Sequence, residues 1–111
     1  MVTVQIEWGA GKCPTTLTAN GHAGHGKPGR DTVCAALSVL FYTAASLVEE
    51  WEEKGYLLAP ATLNLGEGVG EIAFVPKPGF AHVAKCALET AVRGMELLSN
   101  YYPNYVTLIR I

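Results

Sequence analysis

The sequence predicts an α+β domain in which two amphipathic helices pack on one mostly antiparallel sheet, in the order β-β-α-β-β-α-β. Apolar and polar residues alternate from Val2 to Trp8, which is the period of a half-buried strand. Two longer segments, near 33–51 and 80–98, instead repeat apolar residues at helical spacing. Short β-branched runs between and after these segments supply the remaining strands, so helices over one sheet are the expected architecture.

The first half of the chain contains two strands, a glycine-rich loop and a helix. After a turn at 9–14, the segment 15–20 is rich in β-branched residues and predicts the second strand. Four glycines and a proline between Gly21 and Gly29 exclude regular structure there. Asp31 is a candidate N-cap for a helix that runs to about Glu53. Its predicted core stripe is Val33, Leu37, Leu40, Ala44, Leu47, Val48 and Trp51.

The second half predicts a hairpin, a helix and a closing strand. The hairpin strands, 62–65 and 71–75, flank a glycine-rich turn. The second helix follows Gly79, and 105–111 forms the last strand. The core stripe expected on the second helix is Phe80, Ala84, Ala87, Leu88, Ala91, Met95 and Leu98.

Length and composition indicate a single domain over residues 1–111. Half of the 111 residues are apolar and 16% are charged, which suffices for a core without disulfides. The net charge of −2 disfavours binding to nucleic acid, which normally needs a basic surface. The N-terminus does not resemble a secretory signal, and we expect no segment apolar enough to span a bilayer. We therefore expect a cytoplasmic protein with no membrane partner.

The three cysteines are far apart in the sequence, and each requires its own explanation. Cys13, Cys34 and Cys86 do not show the spacing of zinc ligands, so no metal is expected. Cys34 would lie in the first turn of the helix that Asp31 caps. There the helix dipole and the backbone N–H groups favour a thiolate and can stabilise an oxyanion.

His22 is the candidate base for this cysteine. It follows the second strand directly, and a loop returning to the helix start could bring its imidazole to the Cys34 sulfur. A thiol and a general base are the minimum for acyl transfer. From the residues alone, a nucleophilic Cys34 and a structural core cysteine are about equally supported.

Two separated blocks of sequence resemble a known family. Gly21-His22-Ala23 and the run Asp31-Thr32-Val33-Cys34-Ala35-Ala36-Leu37-Ser38 resemble the signature of the ribosomal-processing cysteine proteases, the Prp family. That family typically carries Gly-His-Ala, a short loop and Asp-Ile-Val-Cys-Ala-Ala-Val-Ser. The departures, Thr32 and Leu37, do not involve the reacting groups, and the length and element order of nearly the whole chain also fit.

The resemblance implies a function and its residues. Members remove a short N-terminal extension from the bacterial large-subunit ribosomal protein numbered twenty-seven, during ribosome biogenesis. The catalytic histidine corresponds to His22 and the catalytic cysteine to Cys34. The resemblance further implies a homodimer, a ribosomal protein precursor as the peptide substrate, and no metal or organic cofactor.

Other residues are weaker candidates for a role. His25 could contact substrate but is more simply a solvated loop residue, and Asp31 could orient His22 but is more simply the helix cap. Ser38 is more simply a helix residue bonded to its own backbone. His82 and Cys86, four residues apart on the second helix, could share a metal but are expected to be a surface pair. The tyrosines Tyr101, Tyr102 and Tyr105 are expected in the core or at a dimer contact.

Two other functions remain open on the sequence. A non-catalytic ribosome-assembly module with a structural His–Cys pair would tolerate Cys34→Ser, whereas a thiol endopeptidase would not. A redox-sensing thiol protein would need a resolving cysteine, which the positions of Cys13 and Cys86 do not supply.

Overall fold

A computed structural model describes residues 1–10, 15–21, 32–66 and 68–111 of the chain. Its elements occur in the predicted order β-β-α-β-β-α-β. They are β1 (Val2–Glu7), β2 (Thr15–Gly21), α1 (Thr32–Glu53), β3 (Thr62–Gly66), β4 (Val69–Phe74), α2 (Ala81–Tyr101) and β5 (Val106–Arg110). A short 3-10 turn, Pro78–Phe80, precedes α2.

The five strands form one sheet in the order β3-β4-β2-β1-β5. All neighbours are antiparallel except β1 and β5, which are parallel, so the prediction of a mostly antiparallel sheet is confirmed. The register places Val2, Gly21, Val69 and Val106 at one end of the sheet, called below the Gly21 end. Thr15 and Phe74 are partners at the opposite end, next to Trp8, and this is called the Trp8 end.

Both helices cover one face of the sheet, and the core lies between the two layers. Alternate strand residues such as Val4, Leu17 and Ile72 are fully buried beneath the helices. Their neighbours Gln5, Thr18 and Glu71 are cross-strand partners on the other face, which is polar. The alternation first seen in the sequence therefore separates a covered face from an uncovered one.

The predicted core stripes of the two helices are largely right. On α1 the buried face is rotated by part of a turn from the predicted one. Its buried residues are Val33, Leu37, Phe41, Ala44, Ala45, Val48 and Trp51, whereas the expected Leu40 and Leu47 are only half-buried. On α2 the buried residues are Ala84, Leu88, Ala91, Val92 and Met95. The sequence pattern missed Phe41 because the adjacent Leu40 fits a helical stripe equally well, and only the packing of α1 on β4 decides between them.

Helix α1 lies along β4, and α2 runs antiparallel to α1. A Cβ atom added to Gly70 would be 2.7 Å from Cε1 of Phe41, and the Trp51 and Phe74 rings are 5.8 Å apart. From Phe41 to Trp51 a helix rises about 15 Å, and from Gly70 to Phe74 a strand rises about 13 Å. The two elements therefore run side by side in the same direction. The opposite direction of α2 follows from the contact of Trp51 with Phe80, at 5.1 Å between ring centroids.

Helix α1 corrects one expectation about apolar segments. Among the described residues, Thr32–Glu53 is long and apolar enough to cross a membrane by length and composition. The sequence pattern does not predict such a segment, because serine, threonine and the terminal glutamates interrupt the apolar run. Seven residues of α1 are buried in the core of this domain, and core helices of folded domains pass the same test. The length and apolarity of α1 are therefore weak evidence for a membrane span.

Candidate active site

Cys34 lies in the first turn of α1, as predicted. The helix begins at Thr32, and Cys34 is half-buried and packs against the core beside the buried Val33. Backbone N–H groups in a first turn have no acceptors within the helix, and the dipole is positive at this end. The position can therefore stabilise both a thiolate and an oxyanion that forms next to it.

The start of α1 is level with the end of β2. Phe41 packs on Gly70, whose strand partner is Ala19, and Gly21 lies about 7 Å further along β2. Cys34 precedes Phe41 by two helical turns, which is about 10 Å in the same direction. Cys34 is therefore level with the point at which the chain leaves the sheet after Gly21.

Gly21 must be glycine at the place where β2 ends. Its φ of +103° is rarely adopted by residues with a side chain, and an added Cβ would clash with the carbonyl oxygen of Met1. The Gly21 N–H donates a 2.8 Å hydrogen bond to the carbonyl oxygen of Gly68 in the β3–β4 turn. This close backbone packing holds the last residue of β2 against both neighbouring strands.

Several predicted site residues lie outside the described part of the chain. These are His22, His25, Asp31 and Cys13. The pairing of His22 with Cys34, the capping of α1 by Asp31 and the roles of His25 and Cys13 therefore stay predictions. Of the predicted catalytic pair, the structure describes Cys34.

A second thiol and imidazole are in contact at the Trp8 end. Sγ of Cys86 is 3.5 Å from Nε2 of His82 on the exposed surface of α2, as expected for a surface pair. His82 also lines a cleft of about 260 Å³, together with Trp8, Gly9, Thr15, Phe74, Pro76, Ala81, Ala84 and Lys85. Among the described residues, no three His, Cys, Asp or Glu side chains are close enough to hold a metal ion. The pair is remote from Cys34, because the two lie at opposite ends of the sheet.

For the tyrosines, the structure bears on the core alternative, while the dimer contact stays a prediction. Tyr101 is 75% exposed and Tyr102 is 39% exposed, so neither belongs to the core, while Tyr105 is half-buried and packs against it. All three lie near the Gly21 end, where the N–H of Val2 donates a 2.8 Å hydrogen bond to the Tyr105 carbonyl oxygen. The sequence pattern did not separate these positions because all three look equally apolar.

A family model decides what kind of protein this is. The model described as cysteine protease Prp matches residues 1–107 of the chain. The chain belongs to the Prp family of cysteine proteases. It is accordingly a cysteine protease, which confirms the enzyme class implied by the Gly-His-Ala and Asp-Thr-Val-Cys blocks. No curated protein sequence matches it.

Solved structures share the fold over the whole chain. An essential ribosomal processing protease Prp from S. aureus, in complex with a covalently linked product peptide, superposes with a TM-score of 0.77 at 23% identity. The same protein with a substrate peptide gives 0.68 at 21% identity, and both matches cover 100% of each chain. SMU.848 from Streptococcus mutans gives 0.67 at 22% identity, covering 100% of this chain and 94% of its own. At these identities the likeness concerns the fold.

Proposed function

We propose that this Prp family protease uses His22 and Cys34 to remove the N-terminal extension of a bacterial large-subunit ribosomal protein, the one numbered twenty-seven. The observation that carries the proposal is the position of Cys34 in the first turn of α1, level with the end of β2. His22 follows that strand directly in the sequence. The S. aureus relatives, described as ribosomal processing proteases with peptides bound, support a peptide substrate of this class.

The chemistry assigns one role to each group. His22 takes the proton from the Cys34 thiol, and the sulfur attacks the carbonyl carbon of the scissile peptide bond. Backbone N–H groups at the start of α1 stabilise the oxyanion of the tetrahedral intermediate. As that intermediate collapses to a thioester, His22 protonates the departing amine. Water then attacks the thioester and releases the second product together with the Cys34 thiol.

We further propose that the enzyme acts in the cytoplasm as a homodimer. A reducing compartment keeps the nucleophilic thiol in its active form. The outward surface of α1 supports the dimer, because Val39 is 66% exposed and Tyr42 is 53% exposed. This exposed stripe, with Ala35 on the same side, is called below the outer face of α1.

The first experiment incubates the purified protein with the precursor of this ribosomal protein and determines the products by mass spectrometry. Wild-type protein is expected to cut one bond and release the extension. Cys34→Ala and His22→Ala should each lower the rate by at least about 10³-fold, because a nucleophile and its base act as a unit. Both variants should keep the unfolding temperature of the wild type.

The matched controls are Cys86→Ala and His82→Ala, which remove the other Cys–His pair. They should cleave at the wild-type rate, since that pair lies at the Trp8 end. Wild-type turnover by Cys34→Ala or His22→Ala would refute the dyad. An intact precursor after incubation with wild-type protein would refute the substrate.

A further inference from the structure

Strand β3 is at one edge of the described sheet, and some of its backbone N–H and C=O groups point away from β4. In its register with β4, Gly66 pairs with Val69 across a two-residue turn, so this closing pair exchanges hydrogen bonds. Antiparallel pairs alternate, and the N–H and C=O groups of Leu63 and Leu65 therefore point away from β4. Among the described residues, no backbone partner lies on that side of them.

The same edge already binds a carboxylate from α1. The Ala61 N–H points in the same direction as those of Leu63 and Leu65, and it donates a hydrogen bond to Oε1 of Glu52. Glu52 lies in the last turn of α1. One flank of the helix is therefore directed towards the outer edge of β3.

Cys34 lies on this flank of α1. Eighteen residues make five full turns of an α-helix, so Cys34 and Glu52 point in the same direction. Phe41, which packs on Gly70 of β4, is within about 20° of that direction. Ser38 lies between Cys34 and Phe41 along the helix, on the exposed side of this flank. The flank of α1 from Glu52 to Cys34 thus runs beside the edge of β3.

This flank of α1 extends further than β3, by a length that a few residues of an extended peptide would span. From Ala61 to Gly66 a strand advances about 17 Å, and from Glu52 to Cys34 the helix advances about 27 Å. The remaining ~10 Å corresponds to about three residues of extended chain. A peptide paired with Leu63 and Leu65 would therefore reach Cys34 about three residues beyond Gly66.

The sequence of β3 lacks the usual protection of an edge. Thr62–Gly66 reads Thr-Leu-Asn-Leu-Gly and contains no charged residue and no proline. Soluble proteins normally protect such an edge with lysine, proline or a bulge, because it is a template for another strand. The opposite edge, β5, carries Arg110, which pairs with Glu89 and Glu96 of α2.

We propose that the substrate binds as a sixth strand along the outer edge of β3, with its backbone paired to Leu63 and Leu65. This inference rests on the proposed function, because the occupant is the peptide that Cys34 cleaves. Backbone pairing supplies affinity in strand addition and accepts varied side chains. The scissile bond then lies beyond the Gly66 end of β3, next to the first turn of α1.

The first test uses a peptide that spans the cleavage site and the inactive Cys34→Ala variant. Amide hydrogen exchange, measured by NMR, should slow at least tenfold at Leu63 and Leu65 when the peptide is saturating. Asn64 is the internal control, because its amide pairs with Glu71 of β4 and should change much less. Unchanged exchange at Leu63 and Leu65 with bound peptide would overturn the inference.

The second test uses wild-type enzyme and peptides with a single backbone N-methyl group, moved one position at a time. A methyl group that replaces a paired N–H should raise KM by about three- to tenfold, and it should do so at alternate positions. Equal effects at successive positions would contradict strand pairing. Cleavage of the precursor without these edge effects would overturn this inference alone, whereas edge protection without any cleavage would overturn the proposed function.

Discussion

At the scale of single residues, Cys34 and Cys86 present two thiols in different surroundings. Cys34 is half-buried in the first turn of α1, whereas Cys86 is exposed and has His82 at 3.5 Å. The sequence predicts His22 as the candidate base of Cys34 and His82 as a surface partner of Cys86, and the structure confirms the second contact. A labelling experiment therefore has to test each histidine separately.

We expect Cys34 to be alkylated faster than Cys86 in a brief iodoacetamide pulse at about pH 6 to 7, where ordinary cysteines are mostly protonated. Thiolates react and thiols do not, and Cys34 has both the helix N-terminus and the candidate base His22 in its favour. His22→Ala should lower the alkylation rate of Cys34 severalfold and leave that of Cys86 unchanged. His82→Ala should lower the rate of Cys86 and leave that of Cys34 unchanged. Mass mapping of the labelled peptides gives both rates. An unchanged Cys34 rate in His22→Ala would contradict the dyad.

At the scale of elements, the packing of α1 on β4 determines where Cys34 lies. This packing depends on Gly70, because its missing side chain makes room for the Phe41 ring. Phe41 is 5% exposed, so its ring has little freedom to move aside. The helix can therefore approach the strand closely only while residue 70 has no Cβ.

Gly70→Ala is expected to lower the free energy of unfolding by about 1–3 kcal/mol, the usual cost of overpacking a core. In a Phe41→Leu background the same substitution should cost less, because the smaller side chain leaves space for the new methyl group. Urea unfolding of the wild type, the two single variants and the double variant measures this coupling. Gly66→Ala is the matched control, because nothing lies within 4 Å of a Cβ at that position. Equal costs of Gly70→Ala in both backgrounds would contradict the packing.

The elements were predictable from the sequence because each has its own period and its own boundaries. The alternation that begins at Val2 predicts the first strand, and the glycines at 21, 55, 66, 68 and 70 mark where other elements end. The predicted bounds agree with the observed ones to within a few residues. The pairing of β1 with β5 was not predictable, since strands at the two ends of the chain have no local signal for each other. The position of β3 at an edge was not predictable either, because it depends on the order of the strands in the sheet. For the site, the motif blocks singled out Cys34, while its position level with the end of β2 depends on the α1–β4 contact.

At the scale of the whole molecule, α1 has a side that no other described residue of the domain covers. Its outer face carries Ala35, Val39 and Tyr42, and further along the same side the helix ends in acidic residues, Glu49 and Glu53 among them. The helix has no basic residue in its last turn, so these carboxylates face the negative end of its own dipole. In an antiparallel pair of α1 helices, they would instead lie near the positive N-terminal end of the partner helix. The proposed second copy of this chain would therefore satisfy both the apolar and the charged part of this face.

The ion pairs between β5 and α2 lie on the surface and contribute little to stability. Arg110 of β5 contacts Glu89 and Glu96 of α2 at 3.3 and 3.4 Å, and the hydrogen bond to Glu89 raises the pKa of Arg110 above its ordinary value. A raised pKa means that the contribution of Arg110 is fully present below the ordinary arginine value and is lost only as the pH rises through the raised one. The arginine side chain is 40% exposed, and pairs of this kind contribute about 0–1 kcal/mol.

Charge placed on the outer face of α1 should separate the proposed homodimer. We expect Val39→Lys to raise the dissociation constant of the dimer at least about tenfold, because a lysine at the centre of a symmetric contact meets its own copy. Val83→Lys is the matched control, since Val83 is a comparably exposed valine (54% against 66%) on α2, away from the outer face. Sedimentation equilibrium over a range of concentrations measures both constants, and unfolding temperatures near that of the wild type would exclude damage to the fold. A wild-type protein that stays monomeric at every concentration would contradict the dimer. Equal dissociation by Val39→Lys and Val83→Lys would show that the contact does not centre on α1.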